Sequence, residues 1–167
     1  MYEARQVCNL LIAQPDRHAF ELTNLRLNKL LYFIHGWALT SRRDGIIRNH
    51  FLAWQFGPII RPVFDTFKIY GDGRITEPAQ YLDYASGEHR PVAYDQISAA
   101  DAEIIMRVFS AYDRYSTGQL VEMTHEPGGP WDIVYKAWSK DHRLNLRIPN
   151  DLIRGYFLKQ AGGQLRN

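Results

Sequence analysis

The chain has 167 residues, of which 46% are hydrophobic and 23% charged. This length and apolar content predict a single domain over 1–167 with a substantial core, and they exclude bulk disorder. The formal net charge is only +2, whereas nucleic-acid binders usually carry a dense basic stripe, so the charge disfavours nucleic acid as a partner. The sequence shows neither a basic, apolar leader nor a long apolar run. We therefore expect a cytoplasmic chain that does not enter a membrane.

Cysteine and histidine usage bears on metal and redox chemistry. Cys8 is the single cysteine, which excludes an internal disulfide and a cysteine-based metal cage. It lies on the apolar face of a predicted helix, where we expect a buried, unreactive thiol. The histidines are scattered and lack the HExxH spacing of a zinc site. We therefore expect neither a metal nor another cofactor.

The first two predicted elements are helices. Apolar residues within 4–11 recur at the spacing of one helix face. Thr23 or Asn24 can cap the next helix, LRLNKLLYFIHGWALTS at 25–41, which is apolar on several sides and is therefore expected to run through the core. His35 lies within this apolar segment, so we expect a buried histidine whose ring nitrogens have hydrogen-bond partners.

The aromatic segment FLAWQFGPII, at 51–60, predicts a short extended stretch that stops at Gly57-Pro58. Because proline favours the first turn of a helix, we expect the next helix to begin at this pair. Pro62 is tolerated only if it still lies in that first turn, where the N–H groups have no partners within the helix. Gly71 is expected to end the helix.

The second half of the chain begins with a long connection. Residues 71–97 lack periodicity and predict a surface loop with one short strand around 74–76. Capping residues and helical spacing then predict four helices: from Ser98 to near Tyr115, over 117–125, from Pro130, and from Pro149 until Gly162-Gly163. The complete pattern predicts an all-α fold, a compact single-domain bundle of six to seven helices with at most a short strand or hairpin.

The segment THEPGGPW, at 124–131, predicts a rigid corner between two helices. Its two glycines reverse the chain, Pro130 starts the next helix and Trp131 packs back on the first turn. The His125 imidazole is expected to donate to a carbonyl freed at the end of the preceding helix. A catalytic His125 would need a partner acid or base, and the sequence identifies none, so we expect no enzyme.

A basic and aromatic region lies between residues 42 and 61. Arginines beside aromatic rings can bind phosphates while the rings stack on bases. A solvated basic turn over a core tryptophan explains the same residues and is favoured, because few charges are involved. Exposed tryptophan and arginine also anchor protein interfaces. The candidate contact residues are Arg42, Arg43, Arg48, Trp54, Phe56 and Arg61.

Four ordered blocks of the sequence resemble the Panacea domain, the family of SocA-like, phage-associated antitoxins. They are LNKLLYFIHGWAL (27–39), FLAWQFGPIIRPVFDTFKIYG (51–71), LVEMTHEPGGPW (120–131) and IPNDLIRGYF (148–157). Ile59 stands where the family often has valine, a small departure. The residues that match the family pattern and are expected to form its scaffold are Lys29, Tyr32, Gly57, Pro58, Thr124, His125, Pro130 and Trp131.

The resemblance implies a helical antitoxin that binds and neutralises a separate toxin protein encoded nearby. Some relatives act as adaptors that deliver the toxin to a protease, so a protease complex is a second implied partner. The identifying motifs are expected to be scaffold, with the choice of toxin set by variable surfaces such as 41–50 and 72–97.

Two other functions remain as alternatives. One is a nucleic-acid-binding regulator that uses the basic 42–61 region, and it predicts binding that weakens steeply with salt. The other is a hydrolase centred on His125, and it predicts a strongly perturbed titration at that residue within a cleft.

Overall fold

The structure, a computed structural model, describes residues 1–14, 19–42 and 44–164. These ranges hold seven α-helices and five short strands. The fold is therefore mainly helical, and the prediction of an all-α fold is only partly confirmed. The helices are α1 (Ala4–Ile12), α2 (Asn24–Ser41), α3 (Arg61–Phe67), α4 (Ala99–Asp113), α5 (Thr117–Thr124), α6 (Pro130–Lys140) and α7 (Asn150–Gln164). The strands are β1 (Phe51–Trp54), β2 (Gly57–Ile59), β3 (Gln80–Asp83), β4 (Glu88–Pro91) and β5 (Arg147–Ile148).

Helix α2 is the central element of the fold. Thr23 caps it, since its hydroxyl accepts a hydrogen bond from the Arg26 N–H at 3.3 Å. The helix packs against α1, α3, α4, α5 and α7, and its apolar residues on several sides are fully buried. The prediction of a helix that runs through the core is confirmed. Cys8 of α1 is buried in the same core, as expected.

Buried polar side chains tie α2 to its surroundings. The Arg26 guanidinium donates to the Asp113 carboxylate of α4 at 2.9 Å. His35 accepts from the Ile47 N–H at 3.1 Å through Nδ1, and its Nε2 lies 3.2 Å from Asn150 Oδ1. Nε2 therefore carries the proton of a neutral ring, and burial lowers the pKa of His35 to about 4. The prediction of a satisfied core histidine is confirmed.

A three-stranded antiparallel sheet, in the order β2-β1-β5, corrects the prediction for 51–60. Gly57 pairs with Trp54 and Pro58 with Ala53, so this Gly-Pro pair belongs to a strand and does not begin a helix. Gly57 has a φ of +95°, which suits the tight return from β1 and disfavours a helix start. Helix α3 begins only at Arg61, and Pro62 lies in its first turn as predicted.

The second sheet is the β3–β4 hairpin, which lies within the segment expected to be a loop. The predicted strand around 74–76 is wrong, because these residues form no strand and Ile75 instead donates its N–H to the Leu22 carbonyl at 2.9 Å. Asn9 of α1 holds the base of the hairpin through hydrogen bonds to the backbone of Ala79 and Val92. This contact is distant in sequence, so local periodicity could not indicate it.

Capping residues place the C-terminal helices. Ser98 accepts from the Asp101 N–H at the start of α4, and Ser116 forms a capping box with Gln119 at the start of α5. Helix α7 continues through the two glycines at 162 and 163 to Gln164, so the prediction that the helix ends at these glycines is wrong. A glycine within an exposed helix costs about 1 kcal/mol but does not by itself end the helix.

Candidate functional site at the α5–α6 corner and the β1–β2 hairpin

The corner between α5 and α6 has the predicted geometry. His125 caps the end of α5, Gly128 adopts a φ of +76° and Gly129 caps the start of α6. Pro130 is the first residue of α6, where its missing N–H removes no helical hydrogen bond. Asp132 Oδ2 accepts from the Gly128 N–H at 2.9 Å and closes the turn. The turn is therefore fixed by the end of α5 on one side and by Asp132 of α6 on the other.

Trp131 joins this corner to the β1–β2 hairpin. Its indole N–H donates to the Trp54 carbonyl at 2.7 Å. The ring stacks on His125 at a centroid distance of 3.8 Å and on Tyr135 at 4.8 Å. Trp131 is 8% exposed, so the expectation that it packs back into the fold is confirmed.

The His125 side chain departs from the expected arrangement. No carbonyl accepts from its ring, and Nε2 is buried without a hydrogen-bond partner among the described residues. The imidazole is held instead by stacking on Trp131. Burial, and then the nearby Lys29 charge, lower the pKa of His125, which favours a neutral ring. The prediction of a hydrogen bond to the helix end is wrong, because the ring turns towards Trp131.

Lys29 lies on the inner side of the same site. It is fully buried, and its ammonium donates to the Pro58 carbonyl at 2.9 Å. Burial lowers the pKa of Lys29 from 10.5 to about 7. A Cβ at Gly57 would lie 2.8 Å from Lys29 Cε and 2.7 Å from Thr124 Oγ1. Only glycine fits where α2, β2 and α5 meet.

On the outer side of the hairpin, three of the predicted contact residues form a group. The Arg61 guanidinium lies 5.5 Å from the centroid of the Trp54 ring, a cation–π arrangement. Phe64 packs on the same tryptophan at 5.0 Å. Phe56, in the turn between the strands, is 61% exposed. Trp54, Phe56 and Arg61 therefore offer apolar and cationic surface at the hairpin turn.

The remaining predicted contact residues lie elsewhere or outside the described ranges. Arg42 pairs with Asp101 at 2.6 Å, and Tyr2 donates its hydroxyl to the same carboxylate at 2.7 Å. Arg48 is exposed, and its backbone N–H donates to the Tyr2 carbonyl. These two arginines thus lie around Tyr2, and no contact among the described residues links them to the Trp54 group. Arg43 lies outside the described residues.

The sequence model described as "Antitoxin SocA-like, Panacea domain" matches residues 27–132, a span that includes Lys29, Gly57, His125 and Trp131. The chain belongs to this family. It is 35% identical over 158 residues to the protein "Antitoxin SocA" of Caulobacter vibrioides (strain NA1000 / CB15N), which covers 93% of this chain and 82% of that relative. No solved structure matches this chain significantly.

The residues that carry the Panacea pattern converge in space although they are distant in sequence. Lys29, Gly57-Pro58 and Thr124-His125 meet at one point, and Trp131 connects them to β1. Tyr32 lies one turn after Lys29 and packs edge-on against the rings of Phe51 and Phe157. All of these contacts join residues of the chain to one another.

Asp132 was missed at the level of the sequence, and although Asn28 lies in the LNKLLYFIHGWAL block that resembles the family, its hydrogen-bond partner was not predicted. Asn28 Oδ1 accepts from the Ile60 N–H at 2.8 Å and so orients the start of α3. Asp132 closes the corner turn. The signal for Asn28 was available, because a polar residue inside an otherwise apolar, buried helix needs a partner. The identity of the hydrogen-bond partner, the Ile60 N–H, depended on the packing of α2 against α3.

Lys29, His125 and Trp131 make hydrogen-bond and stacking contacts with other residues of the chain. No group of three or more His, Cys, Asp or Glu side chains in these ranges is arranged to hold a metal ion. None of the described helices is long and apolar enough to cross a membrane. The stacked His125 ring and the buried Lys29 ammonium are both directed inwards, where they hold the corner against the hairpin.

Proposed function

We propose that this chain is a cytoplasmic antitoxin that neutralises a cognate toxin by binding it directly. Its similarity to Antitoxin SocA across 93% of the chain is the observation that carries this proposal. The internal placement of the Panacea residues supports it, because a scaffold held from within leaves the outer surface free to bind a protein. The proposed activity is binding, without catalysis.

The contact surface that we propose includes the hairpin turn. Aromatic and arginine side chains are the usual anchors of protein interfaces, and Phe56 is exposed beside the Arg61–Trp54 pair. Arg48 and Arg42, which pairs with Asp101, would contribute at a second position, and Arg43, outside the described residues, stays a predicted contact residue. Burying such a surface against the toxin would occlude the toxin's own functional site.

Delivery of the bound toxin to a protease is a second part of the proposal, and it rests on the resemblance alone. An adaptor would shorten the toxin's half-life in cells, whereas occlusion would leave the toxin intact and inactive. Toxin lifetime in the presence and absence of this chain therefore separates the two routes.

The test begins with the small reading frame adjacent to the gene. It is expressed alone and together with this chain, and both growth and co-purification are measured. Toxicity that this chain abolishes, together with a co-purifying complex, is the expected result. A harmless neighbour, or rescue without any complex, would contradict neutralisation by direct binding.

A pair of variants then tests the surface. Phe56→Ala is expected to weaken toxin binding by about tenfold or more, because it removes an exposed ring from an interface. Leu158→Ala, on α7, removes another exposed apolar side chain and is the matched control. Equal binding by both variants would move the interface away from the hairpin turn.

Nucleic-acid binding by the 42–61 region has less support. Arg42 is already neutralised by Asp101, and Arg61 pairs with Asp65 at 2.6 Å. These pairs reduce the positive charge available to phosphates. A strong salt-dependent affinity for nucleic acid, in the absence of any toxin complex, would favour this alternative.

A further inference from the structure

The β3–β4 hairpin exposes apolar side chains that the fold does not use. Tyr84, in its turn, is 91% exposed, Tyr81 47% and Leu82 41%. Tyr81 and Leu82 are neighbours on one strand, so they point to opposite faces of the hairpin. Apolar surface on both faces of a projecting hairpin is typical of a segment that a partner covers.

The two outer edges of this hairpin differ in hydrogen-bonding capacity. Val92 donates its N–H to the Ala79 carbonyl, and the register then makes Tyr81–Arg90 the next hydrogen-bonded pair. The backbone groups of the intervening residues therefore point outwards, those of Gln80 and Leu82 from β3 and those of His89 and Pro91 from β4. Proline has no N–H to donate. The edge of β3 thus keeps both outward donors, whereas the edge of β4 has only the His89 N–H.

The outward N–H groups of β3 have no partner within the described chain. No hydrogen bond from the Gln80 or Leu82 backbone to another described element is present, and the sheet contains only β3 and β4. A shallow depression runs along this edge and is lined by Arg5 and residues 80–85, without any residue of β4. The open edge therefore faces a slot beside the strand.

The hairpin is presented rigidly, because its base is fixed to the core. The side chain of Asn9 is 2% exposed and bonds the backbone on both sides of the hairpin. Its Nδ2 donates to the Ala79 carbonyl at 2.9 Å and to the Val92 carbonyl at 2.8 Å, and its Oδ1 accepts from the Ala79 N–H at 2.7 Å. A pre-ordered edge loses little conformational entropy when a strand is added.

Charge indicates the kind of segment that would bind. The 72–97 segment carries five acidic residues (72, 77, 83, 88 and 95) and two basic ones (74 and 90), a net charge of −3, within a chain whose net charge is +2. Arg90 is already paired with Asp83 at 3.1 Å. Arg5, in the slot, is likewise paired with Glu3 at 3.1 Å. Of these acidic residues, Asp83 lines the slot and Glu88 is exposed on β4, so the 79–92 hairpin with Arg90 carries a net charge of −1. An incoming segment with basic side chains is its complement.

We propose that the outer edge of β3 accepts an extended, basic segment of the toxin as an added β-strand. The inference rests on the proposed function, since it names how that partner is held. Backbone hydrogen bonds to Gln80 and Leu82 would give affinity, and Tyr81, Leu82 and Tyr84 would contact the side chains of the added strand. Such a mode depends on backbone more than on side-chain identity, and it tolerates sequence variation in the partner.

The test uses two proline variants of the full chain with the co-purified toxin as probe. Leu82→Pro removes an outward N–H from the proposed edge, and His89→Pro removes the equivalent N–H from the opposite edge. Both leave the inner ladder intact, since proline is tolerated at outward positions of edge strands. Leu82→Ala reports separately on the loss of the leucine side chain. Circular dichroism confirms that each variant is folded.

We expect the Kd for the toxin to rise by at least about tenfold in Leu82→Pro and to change by less than about twofold in His89→Pro. Amide hydrogen exchange on the unmodified chain gives a second readout. The Gln80 and Leu82 amides are expected to become protected when the toxin binds. The Kd is also expected to rise with salt, as basic-to-acidic contacts are screened.

Three outcomes would overturn the inference and differ from failure of the proposed function. One is a toxin complex in which Leu82→Pro binds normally and the β3 amides stay unprotected. Another is a Kd that does not change with salt, which would contradict a basic segment. The third is a chain that dimerises alone and becomes monomeric in Leu82→Pro, which would assign the edge to a second copy. A wild-type chain that binds no toxin at all would instead refute the proposed function.

Discussion

At the scale of single residues, Lys29 is the clearest conflict between local cost and structural role. A fully buried ammonium is expensive, and one hydrogen bond to the Pro58 carbonyl offsets only part of the cost. Its folded-state pKa of about 7 lies below the ordinary 10.5. The unfolded chain therefore binds more protons between these values. Burial of the charged lysine lowers the free energy of unfolding by its full amount below about pH 7, and this loss becomes smaller as the pH rises towards 10.5.

Lys29→Met measures this penalty directly. The free energy of unfolding of the variant minus that of the wild type is expected to fall between pH 7 and pH 10, by on the order of 4 kcal/mol. Urea unfolding at several pH values gives this difference. Lys159→Met, at an exposed position on α7, is the control and should show no such trend. A pH-independent difference for Lys29→Met would mean that the lysine is charged in the folded state throughout.

At the scale of elements, one buried amide joins the two ends of the 79–92 hairpin. Helix α1 carries Asn9 on its inner face, and the three hydrogen bonds of that side chain align the two chain segments before the strands begin. The strands themselves are mostly exposed and bury little apolar surface. A two-stranded hairpin of this kind is marginal in isolation, so we attribute its order to the anchor at its base.

Asn9→Leu is therefore expected to loosen the hairpin without unfolding the core. It removes all three hydrogen bonds while keeping a side chain of similar size. Hydrogen exchange should accelerate for the Val92 amide, which bonds to Ala79, and remain slow for amides in the middle of α2. Gln6→Ala is a milder comparison, because Gln6 Nε2 donates to the Ala93 carbonyl beyond the hairpin and its Oε1 accepts from the Glu3 N–H, without a bond to Ala79 or Val92. An unchanged exchange rate of the Val92 amide in Asn9→Leu would show that the pairing of β3 with β4 is stable without the Asn9 hydrogen bonds.

At the scale of the whole molecule, α2 packs against five of the other six α-helices in the described part of the chain, and the sixth, α6, packs on β1, β5 and α7. The segment before the first helix is also tied to a distant part of the chain, since the Tyr2 hydroxyl donates to Asp101 at the start of α4. Shared packing around one central helix is the physical basis of cooperative folding. A single domain over 1–167 remains a prediction, and cooperativity is its test.

We expect one unfolding transition, with the same midpoint by far-ultraviolet circular dichroism and by tryptophan fluorescence. The fluorescence reports on four tryptophans, of which Trp37 lies on α2, Trp54 on β1, and Trp131 and Trp138 on α6. Urea titration followed by both signals provides the comparison. Midpoints that differ would indicate that the α5–α6 corner or the β1–β2 hairpin unfolds separately from the helical core.

Helices were predicted well because their signals are local. Thr23, Ser98 and Pro130 mark helix starts at the positions where the structure has them. His35 was correctly expected to be buried and bonded, because a polar ring within an apolar helix has few other solutions. The pattern at Gly57-Pro58 was misread, since the same pair suits a helix start or a hairpin, and only pairing with β1 distinguishes them.

The sequence by itself determined the helical class, the position of the central helix and the corner at 124–131, since periodicity, caps and turn residues act over a few positions. Tertiary structure alone decided where the strands lie and which polar groups meet. Lys29 reaches the Pro58 carbonyl and Asn9 holds the hairpin only because separate elements pack together. Such contacts depend on the relative placement of distant segments, about which one sequence carries no local signal.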